Sequence, residues 1–174
     1  MRSAIKLLAE GLTQVDRQFK RNWKKAEEAK VPRGAYHFFL ANKSGRVQAE
    51  SFIRTVKLEP GDLPPVLDIE KLFRVQPVKM RKEISEWLNI VEEHYRVKPI
   101  IYTSVSFYDD YLGEAFDEYP LWIAHYKERK QPRIKRPWIF WQHNEEGVVN
   151  GIRGKVDFNV FNGDSTDFEE LLVK

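Results

Sequence analysis

Two carboxylates one residue apart close the run "LPPVLDIE", residues 63 to 70. If the apolar approach is a strand, Asp68 and Glu70 project to one face, about 6.6 Å apart at the backbone. Like charges held that close raise one another's pKa, and an acid that keeps its proton can serve as a general acid. A strand ending in solvated acids is the bland counterpart, and the buried approach "PPVL" weighs against it. A further acid, Asp157 in "KVDFNVF", reads by itself as a turn or strand-edge aspartate. Tyr36, Tyr102, Tyr126, Trp122 and Trp141 fall on separate predicted strands. Aromatic faces suit the apolar faces of sugar rings, and a phenol adds a polar handle. Most of these rings must fill the core, which leaves a subset at strand ends for a ligand.

Other chemistries find less support. His37, His94, His125 and His143 never fall at H-x-x-x-H or H-E-x-x-H spacing, so a metal site is not expected. His37 and His125 lie within predicted strands and read better as structural histidines. With no cysteine there is no thiolate nucleophile, disulfide or Cys-based zinc site. The phosphate-binding glycine patterns and G-x-S-x-G are absent as well. The basic stretch "KERKQPRIKRP" (127 to 137) reads as a solvated loop or as a patch for an anionic polymer.

The elements that must position these residues alternate between strand and helix. Residues 15 to 29 put Val15, Phe19, Trp23 and Ala26 at helical spacing. "RGAYHFFL" (33 to 40) is a strand, 47 to 57 a helix, and 66 to 70 the acidic strand. Over 77 to 96, Pro77 suits a first helical turn, and Met80, Ile84, Trp87, Leu88, Val91 and Tyr95 form the buried stripe. Strands follow at 98 to 104, 119 to 126 and 137 to 144, with a shorter helix around 106 to 116. A glycine-punctuated hairpin leads into a last strand at 156 to 161, and Thr166 is expected to cap a terminal helix with Glu169. Such alternation argues for an α/β fold, a mainly parallel sheet closed into an irregular barrel whose second half is poor in helices.

A chain of 174 residues is most simply one domain, and 42% hydrophobic content suits a globular protein. The 29 basic and 26 acidic residues leave only +3, too mild to argue for nucleic acid. No apolar run is long enough to span a bilayer, and "MRSAIKLLAEG" lacks the core and cleavage site of a signal peptide.

The ordered set "RGAYHFF", "LPPVLDIE", "KPIIYTS", "YPLWIAHY", "WIFWQHN" and "GIRGKVDFNVFNG" resembles the glycoside hydrolase family 25 lysozymes, the muramidases of peptidoglycan. The resemblance runs from about Ile5 onward. It implies an irregular TIM-like (β/α) barrel and no metal or organic cofactor. By position it makes Glu70 the general acid/base, Asp68 its tuner or the stabiliser of positive charge, and Asp157 an acid at the groove floor. Tyr36, Tyr102, Trp122, Tyr126 and Gln142 would contact substrate. The reaction implied is hydrolysis of the β-1,4 bond from N-acetylmuramic acid to N-acetylglucosamine, outside the cell or in its envelope. The developing positive centre would be met by an aspartate or by the substrate's own acetamido group.

Family members open with a strand bearing glycine-isoleucine-aspartate and continue to a second strand ending in threonine-glutamate-glycine. "IKLLAEG" (5 to 11) matches the second, with Ala9 in place of the threonine. The expectation is therefore a barrel short of its first strand and one acid. Truncation, a glycan-holding relative without turnover, and coverage of the open edge by a rearranged N-terminus or a second copy all fit. Truncation is favoured because Asp68, Glu70 and Asp157 persist. The expected partner is the peptidoglycan glycan strand, with hydrolysis leading and a binding module of the same fold as the alternative.

Overall fold

The computed structural model describes residues 4–10, 14–15, 17–151 and 153–174, with side chains from residue 17 onward. Strands β1 (Ala4–Glu10), β3 (Arg33–Phe38), β4 (Val66–Asp68), β5 (Ile100–Ser104), β6 (Leu121–Ala124) and β7 (Phe140–Gly147) lie side by side and parallel. These six curl into a half-barrel. Antiparallel strands flank it, β2 (Gln14–Val15) beside β1 and β8 (Val156–Phe161) beside β7. Among the described residues no pairing joins β2 to β8, so the sheet keeps two edges. The segment read as a family-like second strand is β1, which pairs with β3 and carries a bulge between Leu7 and Ala9. Val15 belongs to β2 rather than to the first helix, α1 (Phe19–Glu28). Pairing of Val15 with Ala9 takes precedence over its helical spacing.

Period-two alternation sorts the strand side chains onto two faces. Ala35, Leu67, Ile69, Ile101, Leu121, Ile123 and Trp141 face the helices and join the larger core. Val66, Ile100 and Phe140 face the other way, into a second cluster with Leu63 and Phe168, and Tyr36, Tyr102 and Trp122 pack against it. The outer face is covered by α2 (Gly45–Thr55) and α3 (Pro77–Tyr95). Met80, Ile84, Trp87, Leu88 and Val91 of α3 are fully buried, as the stripe predicts. The start of α2 presses on α3 so closely that a Cβ at Gly45 would lie 1.9 Å from the Glu83 carbonyl oxygen. Only glycine permits that approach. The Gly45 N–H donates to the Glu83 carboxylate at 2.8 Å.

Beneath the sheet, Arg33 opens β3 as a nearly buried cation. Its Nε donates to Asp62 Oδ1 at 2.8 Å, and its two terminal nitrogens reach Glu27 at 2.9 Å and Glu59 at 2.7 Å. The Trp23 ring covers the guanidinium at 4.5 Å.

Two local expectations are corrected. The helix read over 106 to 116 is a single α turn, α4 (Val105–Phe107), then a π turn over Tyr108–Leu112 and a 3-10 turn over Gly113–Phe116. Gly113 at φ +57 interrupts the α path. The terminal helix α5 (Ser165–Leu171) is capped by Asp164, not Thr166. Asp164 Oδ1 accepts from the backbone of Thr166 at 2.7 Å and Asp167 at 3.1 Å, and the Asp167 carboxylate accepts from the Asp164 N–H at 2.8 Å. The run "DSTD" thus supplies its own box two residues earlier, from a stronger capping residue than threonine. Between β6 and β7 the chain, residues 125–139, forms no helix or strand.

Candidate active site

Strand register builds the site in two rows. Phe38, Asp68, Tyr102, Trp122, Phe140 and Phe161 are successive partners across β3 to β8. Because they are in register, their side chains share the inner face. One step nearer the carboxyl ends, Ser104, Ala124, Gln142 and Asn159 form the next row. The lower row supplies an acid between aromatic rings, and the upper row supplies amides above them.

Beyond Asp68 the ladder of β4 stops, so Glu70 stands just past the strand end rather than within it. The chain is still held there. Ile69 N–H donates to the Tyr102 carbonyl at 2.9 Å, and Thr103 Oγ1 donates to the Ile69 carbonyl at 2.7 Å. Glu70 is thereby fixed at the mouth of the half-barrel, while Asp68 lies deeper with 7% exposure.

Burial decides which acid holds the proton. Desolvation pushes the Asp68 carboxyl up to about 8, the negative charge of Glu70 adds to the push, and Lys71 opposes it. One Asp68 oxygen, Oδ1, is buried without a hydrogen-bond partner. Glu70 is exposed as a residue, yet partial desolvation of its carboxyl is still the largest influence, and its pKa is raised. Lys71 counters that shift, while Glu145 and Asp157 reinforce it. Burial thus favours the protonated form of Asp68 and leaves Glu70 the accessible member of the pair.

A pH dependence follows. The folded protein holds a proton on Asp68 that the unfolded chain releases near 3.8. Stability therefore declines as pH rises from about 4 to about 8 and levels off above that. Asp68→Asn is expected to flatten this decline and to raise the melting temperature relative to wild type more at pH 8 than at pH 4, by on the order of 5 °C. Thermal melts across that range check it, and an unchanged slope would exclude Asp68 as the titrating group.

The remaining expected residues converge unequally. The Tyr102 hydroxyl donates to Gln142 Oε1 at 2.6 Å, and its ring meets Trp122 edge-to-face at 5.4 Å between centroids. Trp122 Nε1 donates to Asn159 Oδ1 at 2.9 Å. Burial, the neighbouring Tyr126 and the charges of Glu70 and Asp68 keep the Tyr102 phenol protonated. Tyr126, two residues past β6, shares a side-chain hydrogen bond with Tyr102 and senses Glu145, Asp157 and Glu70. Tyr36 packs with the inner cluster on the other flank. Asp157 is exposed on β8, and its charge reaches Glu70 and Tyr126. Trp141 leaves the set, since it faces the helices and its Nε1 donates to the His125 carbonyl at 2.9 Å.

His37 also faces the helices, bonded through Nε2 to Gln48 at 3.1 Å, and burial lowers its pKa to about 4. It is a neutral core residue. Among the described residues no group of three His, Cys, Asp or Glu could hold a metal ion.

Glu145 and Asn159 were not singled out from the sequence. The register of β7 against β8 shifts on both sides of Asn144. Counting by twos from Gln142 therefore does not reach Glu145 correctly.

A parallel half-barrel with acids and aromatic rings at its carboxyl ends defines an α/β protein of the TIM-like kind. A family model described as "Glycosyl hydrolases family 25" matches residues 2–152, and the chain belongs to that family. The structure of a family 25 glycosyl hydrolase from Bacillus anthracis matches with a TM-score of 0.89 at 34% identity, over 98% of this chain and 82% of that one. The uncharacterized protein YegX of Escherichia coli strain K12 is 46% identical over 154 residues, 88% of this chain and 57% of that protein. Lysozyme M1 of Streptomyces globisporus is 32% identical over 173 residues, 88% of this chain and 58% of the relative. The chain thus spans less than two thirds of the length of these curated relatives.

Proposed function

We propose that the chain hydrolyses the β-1,4 bond between N-acetylmuramic acid and N-acetylglucosamine in bacterial peptidoglycan, acting outside the cytoplasm on the wall. The observation that carries this reading is the meeting of Asp68, Glu70, Glu145 and Asp157 around Tyr102 and Tyr126 at the strand ends. Membership of family 25 and the likeness to a named lysozyme support it.

In this reading the glycan lies across the mouth, its sugar faces against Tyr36, Tyr102 and Trp122. The Tyr102 hydroxyl and the Gln142 and Asn159 amides supply polar contacts. The proton that Asp68 holds near neutral pH passes to Glu70, the accessible member, which delivers it to the glycosidic oxygen as the bond to the anomeric carbon breaks. The departing sugar leaves as an alcohol. Glu70 then takes a proton from the incoming water, whose oxygen adds to the anomeric carbon. The neighbouring acids Glu145 and Asp157 favour the positive charge that develops on the ring.

Incubation with purified peptidoglycan is expected to release soluble fragments whose new reducing ends are N-acetylmuramic acid. Reducing ends of N-acetylglucosamine would overturn the bond assignment. Binding without any release would leave the chain a glycan-binding module of the same fold.

A further inference from the structure

We propose that Lys127, Arg129 and Lys130, on the loop leaving β6, form a cationic rim that binds the carboxylates of the peptide branches carried by the wall glycan. The inference rests on the reading of the cleft as a peptidoglycan site and names a second part of the polymer that the chain would hold.

The position comes from the topology. All six parallel strands end at the mouth, and Tyr126, within electrostatic reach of Glu70, Glu145 and Asp157, immediately precedes Lys127. At Lys127 the backbone takes φ +65, a left-handed turn that redirects the chain just beyond the site. The loop is tied back to the same end of the sheet. His125 N–H donates to the Gln142 carbonyl at 3.1 Å, and the Arg133 N–H donates to His125 Nδ1 at 3.0 Å.

The charges are sorted by sign. Glu128, the one acid between residues 125 and 137, is turned inward with its side chain 20% exposed. It is engaged by Arg133 Nε at 3.0 Å and lies 3.6 Å from His125 Nε2. Arg136 is likewise taken, by Asp117 at 3.0 Å and by the Phe116 and Tyr119 carbonyls. Lys127, Arg129 and Lys130 are exposed and have no ion pair or hydrogen bond among the described residues. Three cations therefore face solvent, with the loop's own acid, Glu128, engaged behind them.

The cleft beside them carries the opposite sign. A polymer bearing carboxylates is repelled by Glu70, Glu145 and Asp157 over a Debye length of about 8–10 Å. Cations on the rim offset that repulsion where the branches leave the glycan, while the acids act on the sugars within. A neutral glycan gains nothing from them.

The test uses the full chain carrying Glu70→Gln, so that binding is read without turnover. It compares this protein with one that also carries K127Q, R129Q and K130Q, by co-sedimentation with purified peptidoglycan. The triple change is expected to weaken binding roughly tenfold at about 50 mM salt, with the difference closing near 500 mM. On a neutral polymer of N-acetylglucosamine, which carries no carboxylate, the two proteins should bind alike. A charge-keeping variant (K127R, R129K, K130R) should bind peptidoglycan as the parent does, which separates charge from any disturbance of the loop. Equal binding of parent and triple variant to intact peptidoglycan overturns the proposal, as does an equal loss on the neutral N-acetylglucosamine polymer. A loss seen with double-stranded DNA and not with peptidoglycan overturns it too. Failure of the hydrolase reading shows separately, as absence of fragment release by the wild-type chain.

Discussion

Glu70→Gln is expected to slow peptidoglycan cleavage by roughly a hundred- to ten-thousand-fold, the range of a lost general acid/base. Glutamine keeps the shape of the side chain but can neither give a proton to the glycosidic oxygen nor take one from water. The residue is exposed beyond the end of β4, and the backbone around it is held by Ile69 and Thr103. The fold should therefore be unaffected, and an unchanged melting curve would separate chemistry from stability. Removing the Glu70 charge also removes one of the two influences that raise Asp68. The Asp68 pKa in the variant should fall accordingly, by carbon-detected titration of the carboxyl. Clearing of a cell-wall suspension at the wild-type rate would end the assignment of Glu70. Asp157→Asn should cost less, because Asp157 acts on Glu70 through its field.

Arg33→Ala carries the largest expected loss of stability, about 3–5 kcal/mol, the usual cost of breaking a buried ion pair from one side. Asp62 is 5% exposed and would stay in place without its cation. The Glu59 N–H would still donate to its Oδ2 at 2.8 Å, which satisfies part of the carboxylate only. The damage would spread, because the Asp62 carbonyl accepts from Val173 at 2.9 Å and the Arg33 carbonyl accepts from Leu63 at 2.8 Å. Arg33 and Asp62 together thus join α1, β3, the approach to β4 and the C-terminal segment. Arg33→Lys should recover only part of the loss, since an ammonium cannot fork to three carboxylates and stack on Trp23 together. Replacing Arg33 and Asp62 together by Met and Leu should cost less than Arg33→Ala alone. Urea unfolding measures all three, and a loss under about 1 kcal/mol for the alanine variant would show the pair to be solvated.

Much of this was readable in the chain. The alternation in "VLD", "IIYTS" and "LWIA" sets Val66 with Asp68, Ile100 with Tyr102 and Trp122 with Ala124, because a strand's period of two is a local property. The helical stripe of Met80, Ile84, Trp87, Leu88 and Val91 is local in the same sense. The last strand, at 156 to 161, was bounded correctly by its flanking glycines. These motifs, taken in order, were also enough to identify the family.

What local pattern could not reach depends on who lies opposite. Glu145 enters the site through a register shift between β7 and β8, which neither strand encodes by itself. Arg133 and Arg136 look no different in sequence from Lys127, Arg129 and Lys130, but Glu128 and Asp117 engage only the first two. The same holds for the opening pair of acids. Their spacing alone determined that Asp68 and Glu70 would stand together. Tertiary burial, with the charge of Glu70 adding to it, favours the proton on Asp68 and leaves Glu70 the accessible member, because the cost of a charge is set largely by the water around it.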